Sequence, residues 1–210
     1  MKGRDRLRRT LFKRIRQAEE AALPALTMVR ARAFLAVFPN YGPAWFALGG
    51  ALEDLGRYEE AERALLKSIE YCPPEKMRIP YGAMGRHFQA IGDHDLAEEW
   101  FCRAIAEDPD HAAGHVDLGS LYAIQGRQVD AEVVYRQGTY CSRGFVDEAY
   151  LNLALVLRAQ ERFDEAAQCL EEALRIDPEY RAAKRVRRDV LACLRRRDQA
   201  GSAGADDPPP

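Results

Sequence analysis

The feature of this sequence that most constrains its fold is a pattern of small and apolar residues that returns about every 35 positions. An alanine holds the same place in each copy, at Ala61, Ala97, Ala131 and Ala166, in steps of 36, 34 and 35 residues. Repeats of this length are typical of solenoid proteins, in which each unit buries its apolar face on the next unit. The sequence therefore predicts a series of short, similar structural units.

The copy over residues 42–73 shows what each unit contains. Its apolar and small residues recur at steps of three and four, which places them on one face of a helix. The first such face carries Trp45, Leu48, Gly49 and Leu52, and the second carries Tyr58, Ala61, Leu65 and Ile69. Gly56 between them suits the left-handed residue that commonly ends a helix, and Pro73 cannot continue the second helix. Each unit is therefore predicted to be two helices joined by a turn.

A period near 34 with Trp-x-x-Leu-Gly, a later Ala-x-x-x-Phe and a closing Pro is a known signature. On these motifs the chain resembles the tetratricopeptide repeat (TPR) family over residues 42–178. The resemblance implies an all-α fold, a right-handed superhelical solenoid of TPR helix-turn-helix repeats with capping helices. Three positions depart from the pattern. Arg143 replaces the closing proline and Gly138 lies inside the second helix of the third repeat, while Glu161 replaces the turn glycine of the fourth.

The repeats set the predicted domain organisation. Residues 39–180 are expected to form four TPR repeats at about 42–75, 78–111, 112–145 and 147–180. Residues 1–38 are expected to form a basic N-terminal helix, over 4–22, and the helix of a divergent repeat or cap, over 27–38. Residues 181–197 are predicted to be an Arg-rich C-terminal capping helix. Residues 198–210 cannot bury a core and are predicted to be a disordered tail.

Charge is distributed unevenly, although the net charge is only −2. Residues 1–16 contain eight basic side chains and one acidic one, residues 181–197 contain the same numbers, and the segment between them is acidic. The basic N-terminal helix has four interpretations: a cap, a membrane-surface helix, a nucleic-acid contact or a mitochondrial presequence. We favour the cap, because its apolar stripe lacks the Trp and repeated Phe that favour membrane interfaces.

A cytoplasmic location is expected. No secretory signal is visible, and the longest uncharged run, residues 33–52, is interrupted by Pro39 and Pro43 and so reads as two helices rather than a membrane span. The five cysteines contain no CxxC pair, which is typical of reduced thiols.

No pattern of residues indicates catalysis. The phosphate-binding, dinucleotide-binding, zinc-protease and nucleophile-elbow motifs are absent from the sequence. His111 and His115 are four residues apart but lack a third ligand, so a metal site is not predicted. The chain is therefore expected to be no enzyme, to need no cofactor and to take no small-molecule substrate.

The resemblance to TPR proteins implies that the first helix of each repeat lines a concave groove. The residues opposite the helix-pair face are predicted to form it: Phe46, Gly50, Glu53, Arg86, Gln89, Val116, Ser120, Leu151, Asn152, Leu155 and Arg158. This mixture of apolar and charged side chains suits an amphipathic segment. Alternatively, the small residues only shape curvature, or a terminal helix fills the groove. The Lys and Asn pairs with which some TPR proteins grip acidic chaperone tails are not matched, because Phe46 and Gly50 take the first two places.

The predicted function is a non-enzymatic scaffold or adaptor that binds a protein or peptide partner in the concave groove. The alternative is an anionic-surface binder that contacts RNA, the ribosome or a membrane through the Arg-rich terminal helices. A third possibility, an accessory chain of an enzyme or a secretion complex, differs only in its partner.

Overall fold

The computed structural model describes residues 2–203, and side chains over residues 3–199. The described part of the chain is all-α, which confirms the predicted fold class. Its eleven α-helices are α1 (Lys2–Glu20), α2 (Pro24–Val37), α3 (Gly42–Asp54), α4 (Tyr58–Glu70), α5 (Arg78–Ile91), α6 (His94–Glu107), α7 (Ala112–Ile124), α8 (Gln128–Thr139), α9 (Val146–Ala159), α10 (Phe163–Ile176) and α11 (Arg181–Ala203). A 3₁₀ turn, Pro74–Lys76, fills the longer connection before α5.

The helices form two compact units, one that ends at Glu107 and one that begins at Asp108. In the first unit α3 packs on α4 and α5 on α6, and α1 and α2 form a further pair that packs on α3. In the second unit α7 packs on α8 and α9 on α10, and α11 packs on α10 and α9. The predicted block of residues 39–180 is thus divided between the two units, with two of its helix pairs in each.

The two helices of a repeat meet where a glycine of the first helix faces a large side chain of the second. A Cβ atom on Gly49 would lie 2.7 Å from Leu65, and one on Gly119 would lie 2.6 Å from the ring of Tyr135. Phe101 occupies the same place against Gly85. The sequence pattern of small residues therefore makes room for a side chain of the partner helix. The side chains of Leu65, Phe101 and Tyr135 are at most 3% exposed, so there is little space into which they could move if the facing glycine gained a Cβ atom.

The turn between the helices of a repeat uses one left-handed residue. Gly56, Gly92 and Gly126 have φ angles of +70°, +84° and +75°. Glu161, the residue that departs from the glycine pattern, keeps the same conformation with φ of +61°. The fourth repeat therefore preserves the turn geometry in spite of the side chain, at a conformational cost of about 1–3 kcal/mol for a non-glycine residue.

The third repeat replaces its closing proline with a set of polar contacts inside the second unit. The Arg143 guanidinium lies 2.6 Å from the Asp108 carboxylate, and the Ala112 amide donates to the Arg143 carbonyl at 2.9 Å. Ser142 donates from its amide to Asp110 at 2.8 Å. These bonds fasten the α8–α9 connection to the segment that precedes α7. At the end of the third repeat, Arg143 thus makes ionic contacts at the place where the other repeats have a proline ring.

Both ends of the chain differ from the prediction. The second helix begins at Pro24, three residues earlier than predicted, because proline suits the first turn of a helix. The last helix continues to Ala203, so the predicted loss of order from residue 198 is wrong for residues 198–203. Arg197 binds Asp164 of α10 at 2.6 Å and Asp198 at 3.3 Å, which holds the chain in the helix beyond residue 197. Residues 204–210 of the predicted tail lie outside the described residues.

The close contact within a repeat is tested by two neighbouring glycines of α3. A Cβ on Gly50 would meet nothing within 4 Å, so Gly50→Ala should gain stability, since alanine favours a helix interior by about 1 kcal/mol. Gly49→Ala has the same helix preference but must displace Leu65, which costs about 1–3 kcal/mol. We expect Gly49→Ala to be the less stable variant by that difference in a urea titration. Equal stability of the two variants would contradict the packing argument.

Candidate binding groove

The predicted groove residues of the first unit centre on Phe46. Its partly buried side chain lies between two cavities, and both of them are lined by Phe46 and by Glu19 of α1. We call the larger one the anchor cavity and the smaller one the polar cavity. Gly50, also a predicted groove residue, lines the polar cavity. The structure therefore places Phe46 and Gly50 on one continuous surface to which α1 contributes.

The anchor cavity has a volume of about 580 Å³. It is lined by Phe12, Arg16, Glu19, Glu20, Gly42, Pro43, Phe46, Ser68, Cys72, Pro73, Lys76, Ile79 and Pro80. Two phenylalanines, three prolines and Ile79 supply apolar wall, while the charged groups come from α1 and from Lys76. Cavities of this size and character accommodate a large apolar group.

The polar cavity has a volume of about 190 Å³ and lies where the α1–α2 turn meets α3. Thr27 lines it and is 3% exposed, and its hydroxyl has no hydrogen-bond partner among the described residues. Two carboxylates, Glu19 and Asp54, line the same cavity. Burial raises the pKa of Glu19, although the Arg16 guanidinium acts in the opposite direction. The cavity thus combines acceptor groups with an unsatisfied hydroxyl.

Glu53 was predicted to face a partner, but the structure gives its carboxylate an internal contact. Its Oε1 atom lies 3.0 Å from Nδ1 of His87, which is 1% exposed. Burial raises the pKa of Glu53, with His87 and Arg86 opposing that rise. Glu53 therefore links α3 to α5. Of the other predicted groove residues of this unit, Arg86 is exposed and Gln89 is partly buried.

The second unit keeps only part of its predicted groove accessible. Val116 and Leu151 are each 6% exposed, so the prediction that they form an apolar floor open to a partner is wrong. The reason for Leu151 is that α9 packs against α7, α8, α10 and α11, which leaves little of its surface free. The Ser120 hydroxyl lies 3.0 Å from the Tyr135 hydroxyl, so this predicted groove residue is engaged with α8.

Three predicted residues on α9 remain within reach of a partner. Asn152, Leu155 and Arg158 are partly buried and follow one another at steps of three along the helix. Near them, burial raises the pKa of Glu148, and Asp147 and Asp117 raise it further. This part of the second unit therefore combines one apolar side chain and one cation with the partly desolvated carboxylate of Glu148.

Sequence reasoning missed the contribution of α1 to the groove. The predicted inward stripe consists of Leu7, Leu11, Ile15, Ala18 and Ala22. Ile15 and Ala18 are buried and Leu11 is partly buried, whereas Leu7 and Ala22 are exposed. The neighbouring residues Phe12, Arg16 and Glu19 line the cavities instead. Their spacing of four and three along α1 is a signal of a second face, but the sequence does not show which helix that face meets.

The two histidines considered as metal ligands have structural contacts. The Ala113 amide donates to Nδ1 of His111 at 3.3 Å, so His111 caps α7. His115 is buried, with its Nε2 atom 3.3 Å from the Pro109 carbonyl oxygen. Over residues 3–199, no three His, Cys, Asp or Glu side chains are arranged to hold a metal ion. No helix within residues 2–203 has both the length and the apolar character that a membrane span requires.

Comparison with known proteins gives consistent matches to repeat proteins. Models described as tetratricopeptide repeat match residues 42–74, 83–140 and 147–180, which together exceed half of the chain. Protein O-mannosyl-transferase TMTC2 of Homo sapiens is 28% identical over 94 residues, and its Mus musculus counterpart is 29% identical over 87. These stretches cover 43% and 40% of this chain but only 11% and 10% of the relatives' lengths.

Solved structures share the fold at low sequence identity. PilW, titled a widely conserved type IV pilus biogenesis factor, matches with a TM-score of 0.69 at 16% identity, over 85% of this chain and 82% of that one. A thermophilic TPR protein of Thermus thermophilus matches with a TM-score of 0.62 at 19% identity, over 89% and 98%. YrrB, titled a TPR protein with an unusual peptide-binding site, matches with a TM-score of 0.55 at 16% identity, over 83% and 88%.

The raised pKa of the Glu148 carboxylate predicts how the effect of replacing this residue on stability should change with pH. Its pKa is raised above 4.5, so folding favours the protonated form, and this contribution to stability is lost as the pH rises through the folded-state pKa. Glu148→Gln should therefore be more stable than the parent at pH 7, and the gain should shrink as the pH falls below about 4.5. Urea titrations at pH 7 and pH 4 measure this. Glu171→Gln, on an exposed position of α10, is the control. A gain that is equal at both pH values would contradict the assignment.

Proposed function

The chain belongs to the tetratricopeptide repeat family, and from that premise we propose that it is a non-enzymatic scaffold or adaptor that binds a protein or peptide segment through the first helices of its repeats. The observation that carries the proposal is the accessible surface around Phe46, where apolar walls and charged groups occur side by side. Such a surface suits an amphipathic segment, whose apolar side chains enter cavities while its polar side chains pair at the rim.

The structural relatives support the same class of function. YrrB is described as a TPR protein with a peptide-binding site, and PilW as a factor in the biogenesis of a pilus, which is an assembly of proteins. We propose protein or peptide binding for this chain by analogy of fold.

Catalysis is not part of the proposal. The relatives named as O-mannosyl-transferases are matched over about a tenth of their length, and the groove described here contains no nucleophile paired with a base. The five cysteines are free thiols, which fits a reducing compartment, and we propose a cytoplasmic location on that ground.

The groove of the second unit is tested by Leu155→Asp. The full chain would be crosslinked in a lysate of its source organism, and captured proteins identified by mass spectrometry after nuclease treatment at low and high salt. We expect one protein partner to survive both treatments and Leu155→Asp to lose it at least tenfold, because a charge replaces an apolar contact. Val133→Asp, on an exposed position of α8, should keep the partner. Circular dichroism checks that both variants are folded, and capture that does not depend on Leu155 would contradict the groove proposal for this unit.

A second candidate function rests on the arginines of α11. Several arginines on the repeat helices of the second unit are paired, for example Arg136 with Glu132 at 2.8 Å and Arg175 with Glu172 at 2.8 Å. On α11, Arg197 pairs with Asp164, but six arginines form no ion pair with the described residues: Arg181, Arg185, Arg187, Arg188, Arg195 and Arg196. Phosphate groups of a nucleic acid are the anions that these unpaired cations fit best, because no large apolar side chain in the described part of α11 is exposed for insertion into a membrane.

The test of the second candidate is the salt dependence of binding to a labelled 30-nucleotide poly(U) RNA. Each phosphate contact contributes about 0.7 to the slope of log affinity against log salt for a single strand. The triple variant Arg185→Gln, Arg187→Gln and Arg188→Gln should therefore lower that slope by about 2. A matched triple replacement by lysine should keep it. No change in slope, or binding to phosphatidylserine vesicles but not to RNA, would contradict the nucleic-acid proposal.

A further inference from the structure

Two cavities flank the same aromatic ring in the first unit, and they differ in chemistry. The anchor cavity is walled mainly by apolar side chains, whereas the polar cavity contains the Thr27 hydroxyl and the carboxylates of Glu19 and Asp54. Phe46 and Glu19 line both. A ligand in one cavity would therefore contact residues that also line the other cavity.

We infer that the two cavities together bind one segment of a partner protein, which places a bulky apolar side chain in the anchor cavity and a lysine or arginine side chain in the polar cavity. The inference rests on the proposed function and gives it a specific partner chemistry and a location. The site depends on α1, which precedes residue 42, where the first match to the repeat models begins. It is therefore a property of this chain that the repeat pattern alone does not supply.

The anchor cavity favours an apolar side chain because of its walls and its size. Phe12, Pro43 and Ile79 provide apolar surface on three sides, from α1, α3 and α5. A volume of about 580 Å³ accommodates an aromatic or a branched aliphatic side chain with its neighbouring backbone. In protein interfaces, such anchors in desolvated pockets contribute most of the binding free energy.

The polar cavity favours a cation because two of its lining groups are carboxylates and the Thr27 hydroxyl can also accept a hydrogen bond. The Thr27 oxygen is buried without a partner, which is costly unless a ligand satisfies it. An ammonium or guanidinium group donates several hydrogen bonds and can meet this oxygen together with the two carboxylates. The one cation that lines the anchor cavity from α1, Arg16, lies 3.8 Å from Glu19 and 3.7 Å from Glu20, so its charge is already balanced. An acidic partner could accept a hydrogen bond from the Thr27 hydroxyl, but its negative charge would lie beside the Glu19 and Asp54 carboxylates, which repel it.

The test uses defined peptide pools and the full chain. Each pool contains labelled dodecapeptides with Trp, Leu or Ser fixed at position six, while a Lys or a Glu is moved through the other positions. Fluorescence anisotropy measures affinity. We expect the Trp or Leu pools to bind about tenfold more tightly than the Ser pool, and Lys pools to bind more tightly than Glu pools at one or two positions.

Variants separate the two cavities. Ile79→Asp should abolish the preference for Trp or Leu over Ser. Ile91→Asp is the matched control, because Ile79 and Ile91 lie on the same helix and are both 45% exposed, but only Ile79 is among the residues that line the two cavities. Thr27→Val should reduce the preference for Lys over Glu about threefold or more, since a hydrogen bond to a charged group is lost. It should keep the preference for Trp over Ser and should raise the thermal midpoint of the unliganded protein.

The outcomes separate this inference from the proposed function. Pools that show no preference, or an Ile79→Asp variant that keeps the preference for Trp, would overturn the inference. The partner captured in the Leu155→Asp experiment would then still support binding by the second unit. If capture of that partner is lost with Ile79→Asp and kept with Ile91→Asp, the cavities bind the native partner. If neither Leu155→Asp nor Ile79→Asp reduces capture, the inference and the proposed function both fail.

Discussion

The contact between a glycine of the first helix and a large side chain of the second is the interaction on which the first three repeats depend; in the fourth repeat Ala154 takes the place of the glycine. Because Gly49, Gly85 and Gly119 have no Cβ, the side chains of Leu65, Phe101 and Tyr135 can lie against the first helix and be almost fully buried. The side of the first helix that carries the glycine is therefore committed to packing. A binding surface can form on the opposite side only where neighbouring helices do not cover it, as they do at Leu151.

The helix pair was predictable from the sequence because its determinants are local. Spacing of three and four residues gives a helical face, and Gly56 gives the left-handed turn. Glu161 shows the limit of that reasoning, because it adopts the same φ as the glycines it replaces, and only the surrounding structure enforces this. The end of α11 was mispredicted for a similar reason, since the contact between Arg197 and Asp164 joins residues 33 positions apart.

The binding surface was less predictable because it depends on how helices meet. Periodicity placed Val116 and Leu151 opposite the helix-pair face, but each helix of a repeat packs against more than one neighbour, and these residues are buried. Phe46 is partly buried and lines two cavities, which also require Phe12 and Thr27 from helices that precede the repeats. Residues from five helices, α1 to α5, line these cavities, and no spacing within one helix encodes that convergence.

The carboxylates of the second helices and those on the predicted groove side have different surroundings. On the second helices several are paired with arginines, and Arg162 and Arg136 lower the pKa of Glu165 to about 2. On the groove side, burial is the largest influence on Glu19, Glu53 and Glu148 and raises the pKa of each. These carboxylates have already lost part of their hydration in the folded chain, so a cationic partner does not have to remove it. A lysine or arginine of a partner would place a positive charge beside these carboxylates and would stabilise their ionised form, which burial disfavours. This favours a basic amphipathic segment over an acidic one.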